Sequence, residues 1–351
     1  MTLPGTFEIG GKPVGPGHPT YVIAEAGANH NRDLGIAREL IDVAAEAGAD
    51  AVKFQTYSGA TMYSRKTPRF KYLAPITDKL PTDLLEDVSL PREWQEPLAE
   101  HARSRGLEFM STPFDYQAVD ELAALDVPAL KIASFELVDL PLIRAAAATG
   151  RPLLLSTGMA TYGDIEDAIG AAVEGGAPAV GLMQCTSVYP APDATINLRA
   201  IETMQRAFGI PVGFSDHSLG TAIPIAAAAV GAAFVEKHYT LSRELTGPDH
   251  PFALEPDELK AMVDGIHSVR AALGHGRKEG PTPEEREEMF TLGRRSLIAT
   301  RALPAGTVLT EDMITRKRPG YGIPPKHLEL VLGRPLKVDV EEDEILTWDM
   351  V

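Results

Sequence analysis

Two short apolar runs, Ile210-Pro-Val-Gly-Phe-Ser-Asp-His217 and Phe234-Val-Glu-Lys-His238, each end in a histidine. Because side chains alternate between the two faces of a β-strand, each histidine shares a face with the residue two positions before it. That residue is Ser215 in the first run and Glu236 in the second. Two successive strands therefore bring two polar pairs to one location, which predicts a metal-assisted active site.

Six further runs of this kind precede these two, and helical segments alternate with them. The eight runs span residues 21–27, 51–57, 108–114, 129–136, 152–158, 179–186, 210–217 and 234–239. Strands that alternate with helices pair in parallel, so eight units in about 250 residues predict a (β/α)8 TIM barrel closed by a helix over Pro256–Leu273. An open doubly wound sheet is the structural alternative, but the phosphate-loop signature expected after its first strand is missing.

Composition excludes several classes of function. With 49 acidic and 33 basic residues the net charge is −16, which argues against nucleic-acid binding. The sequence has neither an apolar run long enough to cross a membrane nor a signal-peptide pattern, so we expect a cytoplasmic protein without a membrane partner. Cys185 is the single cysteine and lies in an apolar run, which is typical of a small core residue rather than a nucleophile.

Two regions depart from the repeat. Residues 58–90 form a long, proline-containing insertion, and in a barrel such a loop is expected on the carboxyl face near the ligand. A surface insertion without a role is the alternative. Charged and proline-rich residues at 279–292 predict a linker between a barrel domain of residues 1–278 and a small β-rich domain of residues 293–351.

The predicted strand ends carry lysines that a purely structural barrel does not need. Lys53 and Lys131 lie between apolar neighbours, and burying an unpaired ammonium costs several kcal/mol. They indicate a pocket for phosphate and carboxylate oxygens, with structural ion pairs to Glu25 or Glu136 as the alternative. Two neutral imidazoles suit a divalent ion such as manganese, and the H-E-x-x-H signature of zinc hydrolases is absent. The loop Asn29-His30-Asn31 either contacts the ligand or forms a turn.

Nine short runs follow one another in a distinctive order. They are Ile23-Ala-Glu-Ala-Gly-Ala-Asn-His30, Val52-Lys-Phe-Gln-Thr56, Ser111-Thr-Pro-Phe114, Leu130-Lys-Ile-Ala-Ser134, Leu155-Ser-Thr-Gly-Met159, Cys185-Thr-Ser-Val-Tyr-Pro190, Gly213-Phe-Ser-Asp-His217, Val235-Glu-Lys-His238 and Gly247-Pro-Asp-His250. Together they resemble the sialic acid synthase family. Arg294-Arg-Ser296, Leu303-Pro-Ala-Gly306 and Lys317-Arg-Pro-Gly320 resemble that family's C-terminal antifreeze-like (SAF) module, which in the family has a β-clip fold.

The resemblance implies condensation of phosphoenolpyruvate with an N-acylated amino-sugar aldehyde, N-acetylmannosamine or a related sugar. The products would be a nine-carbon 2-keto sugar acid and phosphate, released by C–O cleavage. Positions that match phosphoenolpyruvate-binding residues are Lys53, Thr112, Lys131, Ser134, Ser156, Ser187 and Ser215. Positions that match residues around the sugar are Gln55, Glu136, Tyr189 and Asp249, while Glu25 and Glu236 match acidic groups at the reacting centre.

The resemblance also implies a cofactor and an assembly. His217 and His238 match the ligands of a divalent metal, for which Mn²⁺ is expected and Mg²⁺ or Co²⁺ is compatible. The family forms homodimers in which the C-terminal module of one subunit covers the barrel mouth of the other. Arg318 would then contact the sugar in trans.

Departures from the family pattern leave the sugar open. Ser187 stands where neuraminate-forming members usually have Asn, and Ala133-Ser-Phe-Glu136 replaces their Gly-Ser-Gly-Glu. Both changes resemble the pseudaminic acid synthases, whereas Gly247-Pro-Asp-His250 resembles the neuraminate and legionaminate versions. A pseudaminic or legionaminic acid synthase that uses a 2,4-diacetamido hexose is therefore an alternative. A pyruvate aldolase with Lys131 or Lys53 as Schiff-base nucleophile, and an inactive sugar-binding barrel, are more remote.

Overall fold

The computed structural model describes residues 3–69, 78–286 and 288–351. The chain divides into two compact units, Met1–Gly274 and His275–Val351. Strands of the first unit are β1 (Phe7–Ile9), β2 (Lys12–Val14), β3 (Tyr21–Gly27), β4 (Ala51–Thr56), β5 (Glu108–Pro113), β6 (Leu130–Ile132), β7 (Leu153–Ser156), β8 (Val180–Cys185), β9 (Val212–Asp216) and β10 (Phe234–His238). Its helices are α1 (Leu34–Ala47), α2 (Gly59–Met62), α3 (Pro81–Val88), α4 (Gln95–Ser104), α5 (Tyr116–Ala124), α6 (Leu140–Ala148), α7 (Tyr162–Glu174), α8 (Arg199–Phe208), α9 (Ala222–Ala229) and α10 (Pro256–Leu273).

Eight parallel strands form one sheet in the order β5-β4-β3-β10-β9-β8-β7-β6. β5 and β6 lie at its two ends and contact each other, so the sheet is a nearly closed barrel and the predicted TIM barrel is confirmed. All eight predicted strands form, although several are shorter than predicted. The run at 129–136 contains only β6, because the chain turns at Ser134–Glu136 into a 3-10 helix.

The barrel has two apolar cores. The larger lies between the strands and the surrounding helices, where α1 contributes Leu40 and Ile41. The smaller fills the amino-terminal end of the barrel interior around Phe234. A hairpin of β1 and β2, which was not predicted from the sequence, packs on this second core, with the Phe7 ring 5.9 Å from the Phe234 ring. The Gly-Gly turn between two short alternating runs is the signal that predicts such a hairpin.

The insertion at residues 58–90 is not a continuous loop, and that part of the prediction was wrong. It contains α2 and α3, and the backbone N–H of Gly59 donates to a Glu86 carboxylate oxygen at 2.9 Å. The Thr61 hydroxyl also donates to Asp115, at 3.1 Å. Residues 70–77 lie outside the described residues. Among the helices that are described, none combines the length and the apolarity needed to cross a bilayer.

The second unit is small and β-rich, as predicted. It contains α11 (Glu288–Gly293), β11 (Ser296–Ala299), β12 (Ile314–Lys317) and α12 (Leu328–Val331). β11 pairs antiparallel with β12, and isolated bridges such as Leu303 with Val340 close the core. One detail differs from the sequence-based expectation: α11 occupies the end of the predicted linker at 279–292. Val308 forms a further isolated bridge with Pro335.

Candidate active site

The carboxyl ends of the barrel strands place a cluster of buried polar groups in one place. Glu25 lies near the end of β3, where the register with β4 shifts between Glu25 and Gly27. Such an irregularity redirects side chains at a strand end. A Cβ atom on Gly27, which has φ +50°, would lie 3.1 Å from Asp249 and 3.2 Å from His238. Glycine at this position therefore permits the close approach of two predicted site residues.

Lys53 lies between two carboxylates at the centre of the cluster. Its Nζ is 2.7 Å from Glu25 and 3.8 Å from Glu236, and it donates to the Thr112 hydroxyl at 3.0 Å. Burial alone lowers the pKa of this lysine, but Glu236 and Glu25 reverse the effect and the net direction is upward. Lys53 is therefore held in its charged form.

Lys131 approaches the same carboxylate from the other side. Its Nζ donates to the Ser156 hydroxyl at 2.6 Å and lies 3.9 Å from Glu236, which also accepts from Ser215 at 3.1 Å. Burial lowers the pKa of Lys131, and Glu236 offsets this only in part. One carboxylate is thus shared between two lysines, and the charge of Lys131 is left incompletely balanced.

The two buried glutamates differ in protonation. Burial raises the pKa of Glu25 to about 7, with Lys53 opposing and Glu236 reinforcing the rise. For Glu236 burial also acts upward, but Lys131 and Lys53 outweigh it and hold its pKa below the ordinary range. Near neutral pH, Glu236 is therefore the permanent anion and Glu25 is the group able to gain or lose a proton.

Two imidazoles form the opposite wall of the cluster. The rings of His217 and His238 are 5.5 Å apart. His217 Nδ1 lies 3.0 Å from the Thr186 carbonyl oxygen, which can only accept, so Nδ1 carries a proton and Nε2 is available in the neutral ring. Burial lowers the pKa of His238 well below its usual value, and positive charge on Lys53, and on His217 when that ring is protonated, acts in the same direction.

The residues present fit a divalent cation. His238 Nδ1 and Glu236 Oε2 are buried atoms without a hydrogen-bond partner in the described part of the chain. The Thr186 carbonyl fixes the His217 ring as the outer partners of metal-bound histidines do. No group of three or more His, Cys, Asp or Glu side chains within residues 3–69, 78–286 and 288–351 is arranged to hold an ion. The fitting donor set is therefore the predicted pair of imidazoles, and the metal itself stays a prediction.

Two of the predicted small polar groups meet beside β7. The Gly158 amide donates to the Ser134 hydroxyl at 3.0 Å, and a Cβ atom on Gly158 would lie 2.2 Å from Ser187 Oγ. Cys185 borders this group. It is buried, as expected of a small core residue, but its Sγ is 3.7 Å from His217 Nδ1 and so lies against the site. Ser134 and Ser187 are thus brought together, as their predicted shared role requires.

Of the residues predicted to contact the sugar, Tyr189 and Asp249 lie beside the two histidines, whereas Gln55 contacts Glu25. Tyr189 is 43% exposed, and its ring is 4.2 Å from the His217 ring. Asp249 lies 3.8 Å from His238 Nδ1, and burial raises the pKa of Glu136 to about 7. Gln55 instead donates to Glu25 at 2.8 Å.

Arg318 is exposed and belongs to the second unit. Its predicted contact with the sugar, which would be made in trans, stays a prediction.

Two features of the site were missed or left open by sequence reasoning. Phe252 is buried, and its ring is 5.2 Å from His238 and 5.5 Å from Tyr189. Its place three residues after Asp249 is the only sequence signal. Asn29-His30-Asn31 forms a turn: the Asn29 amide donates to the Tyr239 carbonyl at 2.7 Å, and the His30 ring packs near Phe54 at 6.2 Å.

Comparison with known proteins is consistent with this site. Residues 40–278 match the model of the NeuB family, and residues 294–351 match that of the SAF domain. The chain is 38% identical to the N,N'-diacetyllegionaminic acid synthase of Campylobacter jejuni, with 93% of this chain and 98% of that protein covered. It is 37% identical to the pseudaminic acid synthase of Helicobacter pylori, with 90% and 93% covered.

A solved structure agrees with both matches. The N-acetylneuraminic acid (sialic acid) synthetase of Leptospira borgpetersenii superposes with a TM-score of 0.73 at 35% identity, covering 82% of this chain and 96% of that chain. These similarities confirm the resemblance found in the nine sequence runs and in the C-terminal runs. The chain therefore belongs to the NeuB family and is an enzyme of the sialic acid synthase type.

Proposed function

We propose that the protein condenses phosphoenolpyruvate with an N-acylated amino-sugar aldehyde, giving a nine-carbon 2-keto sugar acid and phosphate. The observation that carries the proposal is the buried pair Lys53 and Lys131 on either side of Glu236. Glu236 is shared by the two ammonium groups, so the charge of Lys131 is incompletely balanced and can pair with an anionic substrate. Hydroxyls of Thr112 and Ser156 beside the lysines add donors for phosphate and carboxylate oxygens.

The chain's own residues account for orientation of the reactants. The lysines hold phosphoenolpyruvate with its C3 carbon facing the aldehyde. C3 attacks the aldehyde carbon, which forms the new C–C bond, moves the carbonyl electron pair onto the aldehyde oxygen and leaves an oxocarbenium at C2. Electrostatic stabilisation of that cation falls to Glu236, the carboxylate that stays ionised. A divalent ion held by His217 and His238 would supply Lewis-acid polarisation of the aldehyde oxygen. Water then adds at C2, and phosphate leaves by C–O cleavage.

Glu25 is the proposed base for the water that adds at C2. Its pKa of about 7 matches a group that takes up a proton near neutral pH, whereas the pKa of Glu236 is lowered by its two lysines. Its Oε1 is fixed by the Gln55 amide, which orients the carboxylate. A base must be ionised, so activity is expected to increase as pH rises through the pKa of Glu25.

Glu25→Gln is expected to lower kcat by about 10²- to 10⁴-fold, the usual contribution of a general base. The acid limb of the kcat profile near pH 7 should disappear with it. Glu136→Gln is the control, because burial raises the pKa of Glu136 to a similar value. Phosphate release measured from pH 5 to 9 tests this. If the acid limb persists in Glu25→Gln and is lost in Glu136→Gln, Glu25 is not the base.

A second candidate sugar is a 2,4-diacetamido hexose. The observation that favours it is the pair of departures at Ser187 and Phe135, which resemble the pseudaminic acid synthases. Phe135 is exposed within the 3-10 helix Ser134–Glu136, beside Glu136, so it alters the wall predicted to contact the sugar. The named relatives at 38% and 37% identity are a legionaminic and a pseudaminic acid synthase.

A phosphate-release assay tests the reaction and ranks the sugars. N-acetylmannosamine, its 6-phosphate and the 2,4-diacetamido hexoses are each supplied with phosphoenolpyruvate and Mn²⁺. The proposal expects release that depends strictly on all three components, with ¹⁸O from the bridging position of phosphoenolpyruvate recovered in phosphate. A borohydride-trapped pyruvate adduct on Lys131 or Lys53 would show an aldolase instead. Sugar binding without turnover would show an inactive barrel.

The proposed assembly is a homodimer in which Arg318 of the partner subunit contacts the sugar. Under this arrangement Arg318→Ala raises the KM for the sugar by roughly tenfold or more, because a charge-assisted hydrogen bond of about 1.5–3 kcal/mol is lost. The KM for phosphoenolpyruvate should stay within twofold. Arg316→Ala, an exposed arginine two residues earlier, is the control. An unchanged sugar KM in Arg318→Ala, or a monomer by light scattering, would remove the trans contact.

A further inference from the structure

The loop after β10 is tied to the rest of the barrel by one buried imidazole. His250 is fully buried, and its Nδ1 lies 2.6 Å from the Thr240 hydroxyl. On the other side its Nε2 lies 3.1 Å from the Asn31 side-chain oxygen. The ring thus bridges the chain that leaves β10 and the turn that follows β3, residues 219 positions apart in sequence.

The loop is packed directly onto this bridge. A Cβ atom on Gly247 would lie 2.7 Å from the His250 ring, closer than real side chains approach, and 3.1 Å from the Asn31 oxygen. Asn31 itself has a φ of +49°, a conformation that asparagine tolerates better than most residues. The glycine at position 247 and the asparagine at position 31 are therefore both explained by the packing of the loop against the His250 ring.

Neighbours of His250 in the chain reach the active site on both sides. Asp249 precedes it, lies 3.8 Å from His238 Nδ1 and has a pKa on which the Ala28 backbone acts downward, against the effect of burial. Phe252 follows it, and its ring lies 5.2 Å from the His238 ring. A shift of the His250 ring would therefore move both Asp249, which is predicted to contact the sugar, and Phe252, which packs against His238.

We infer that His250 is a positioning residue which, through Asn31 and Thr240, fixes Asp249 and Phe252 for binding of the amino sugar. The identity of the sugar rests on the proposed function, but the positioning of Asp249 does not. The hydrogen bonds of His250 go to Asn31 and Thr240, whereas the lysines proposed to hold the anionic substrate belong to β4 and β6. The KM for the sugar should therefore respond to His250, and the KM for phosphoenolpyruvate should not.

His250→Phe tests the inference, because it keeps a ring and removes both hydrogen bonds. We expect the sugar KM to rise about tenfold, the usual consequence of losing a buried hydrogen bond, with the KM for phosphoenolpyruvate within twofold. Asn31→Gly removes the same bond from the other side, since glycine adopts a positive φ freely, and it should reproduce the effect if His250→Phe fails to fold. The double variant should be no worse than the more severe single one. His250→Gln, whose amide can still donate to Asn31, should restore part of the loss.

His30→Phe is the matched control. His30 is another buried histidine, but its ring hydrogen bond is local, because Nδ1 accepts the nearby Arg32 backbone N–H at 3.0 Å. Loss of this bond should change the sugar KM by less than twofold. A second readout needs no turnover: hydrogen exchange of the Ala28 amide, followed by NMR, should accelerate at least about tenfold in His250→Phe and not in His30→Phe.

The two readouts separate the possible failures. If the sugar KM in His250→Phe and Asn31→Gly rises no more than in His30→Phe, or if the KM for phosphoenolpyruvate rises in parallel, the inference is overturned. An unchanged Ala28 exchange rate overturns it as well. If the unsubstituted enzyme releases no phosphate with any sugar, the proposed function fails, and Ala28 exchange still decides whether His250 positions Asp249.

Discussion

Lys131→Met is expected to lower kcat/KM for phosphoenolpyruvate by about a thousandfold while the barrel stays folded. Methionine matches the length of the lysine stem and packs between the same apolar neighbours, so little volume is lost. The missing charge leaves Glu236 with one lysine of its present pair, Lys53, at 3.8 Å. Removing one partner of a buried charged contact costs about 3–5 kcal/mol, which corresponds to roughly 10²- to 10⁴-fold in binding.

The lowered pKa of Lys131 also predicts how phosphoenolpyruvate binding depends on pH. Burial lowers the pKa of Lys131, so an anion that binds next to it must raise that pKa and stabilise the charged form. Phosphoenolpyruvate affinity is therefore expected to weaken as pH rises, in the unsubstituted enzyme but not in Lys131→Met. Isothermal titration calorimetry with phosphoenolpyruvate alone, between pH 6.5 and 9.5, measures this without turnover.

Lys237→Met is the control for loss of a buried lysine. Lys237 is as buried as Lys131, but it is paired with Asp216 at 2.7 Å on the other face of the strand ends. Its replacement should lower the free energy of unfolding, because Asp216 is left without its counter-ion, and leave the affinity for phosphoenolpyruvate within about threefold. A Lys131→Met enzyme with the dissociation constant of the unsubstituted protein would contradict the assignment of Lys131 to the anion pocket.

The barrel and much of the site follow from local sequence patterns. The β-strand period places Ser215 with His217 and Glu236 with His238, and parallel pairing brings these strand ends together. Lysines between apolar neighbours were informative because their burial is costly without charged partners, and Lys53 has such partners in Glu25 and Glu236. The ion pair with Glu25 is therefore confirmed for Lys53, and its place in an anion pocket stays a prediction.

The sequence did not predict contacts made by backbone atoms or contacts between loops that are distant in the chain. The Thr186 group that orients His217 is a backbone carbonyl, which every residue has, so it leaves no signal in the sequence. Phe252 lies in the loop after β10, and no sequence pattern predicts its contact with His238. The hydrogen bond between Asn31 and His250 joins two loops that are far apart in the chain, and no periodic pattern in the sequence predicts that they meet. The predicted end of a strand was too late where the strand is followed by a 3-10 helix, as after Ile132. Both conformations suit the same short apolar run, so the sequence does not separate them.

His217→Ala is expected to raise the dissociation constant for Mn²⁺ by at least about 100-fold, above the range for loss of an outer partner of a metal-bound histidine. The proposed donor set contains two imidazoles, so the substitution removes half of the side-chain donors. The fold should persist, because His217 is held by a carbonyl contact and by ring packing on Tyr189 rather than by an ion pair. Binding is measured by electron paramagnetic resonance of free Mn²⁺, which needs no turnover.

His101→Ala is the control, since His101 lies on α4 and contacts Asp42 at 2.9 Å, away from the strand ends. It should leave Mn²⁺ affinity unchanged. In His217→Ala, phosphate release should fall to the background seen with the unsubstituted enzyme after chelation, and added Mn²⁺ should restore it only at concentrations that match the weaker binding. Undiminished Mn²⁺ affinity in His217→Ala would show that the ion is held elsewhere. Full activity of this variant after chelation would show that the reaction needs no ion at these imidazoles.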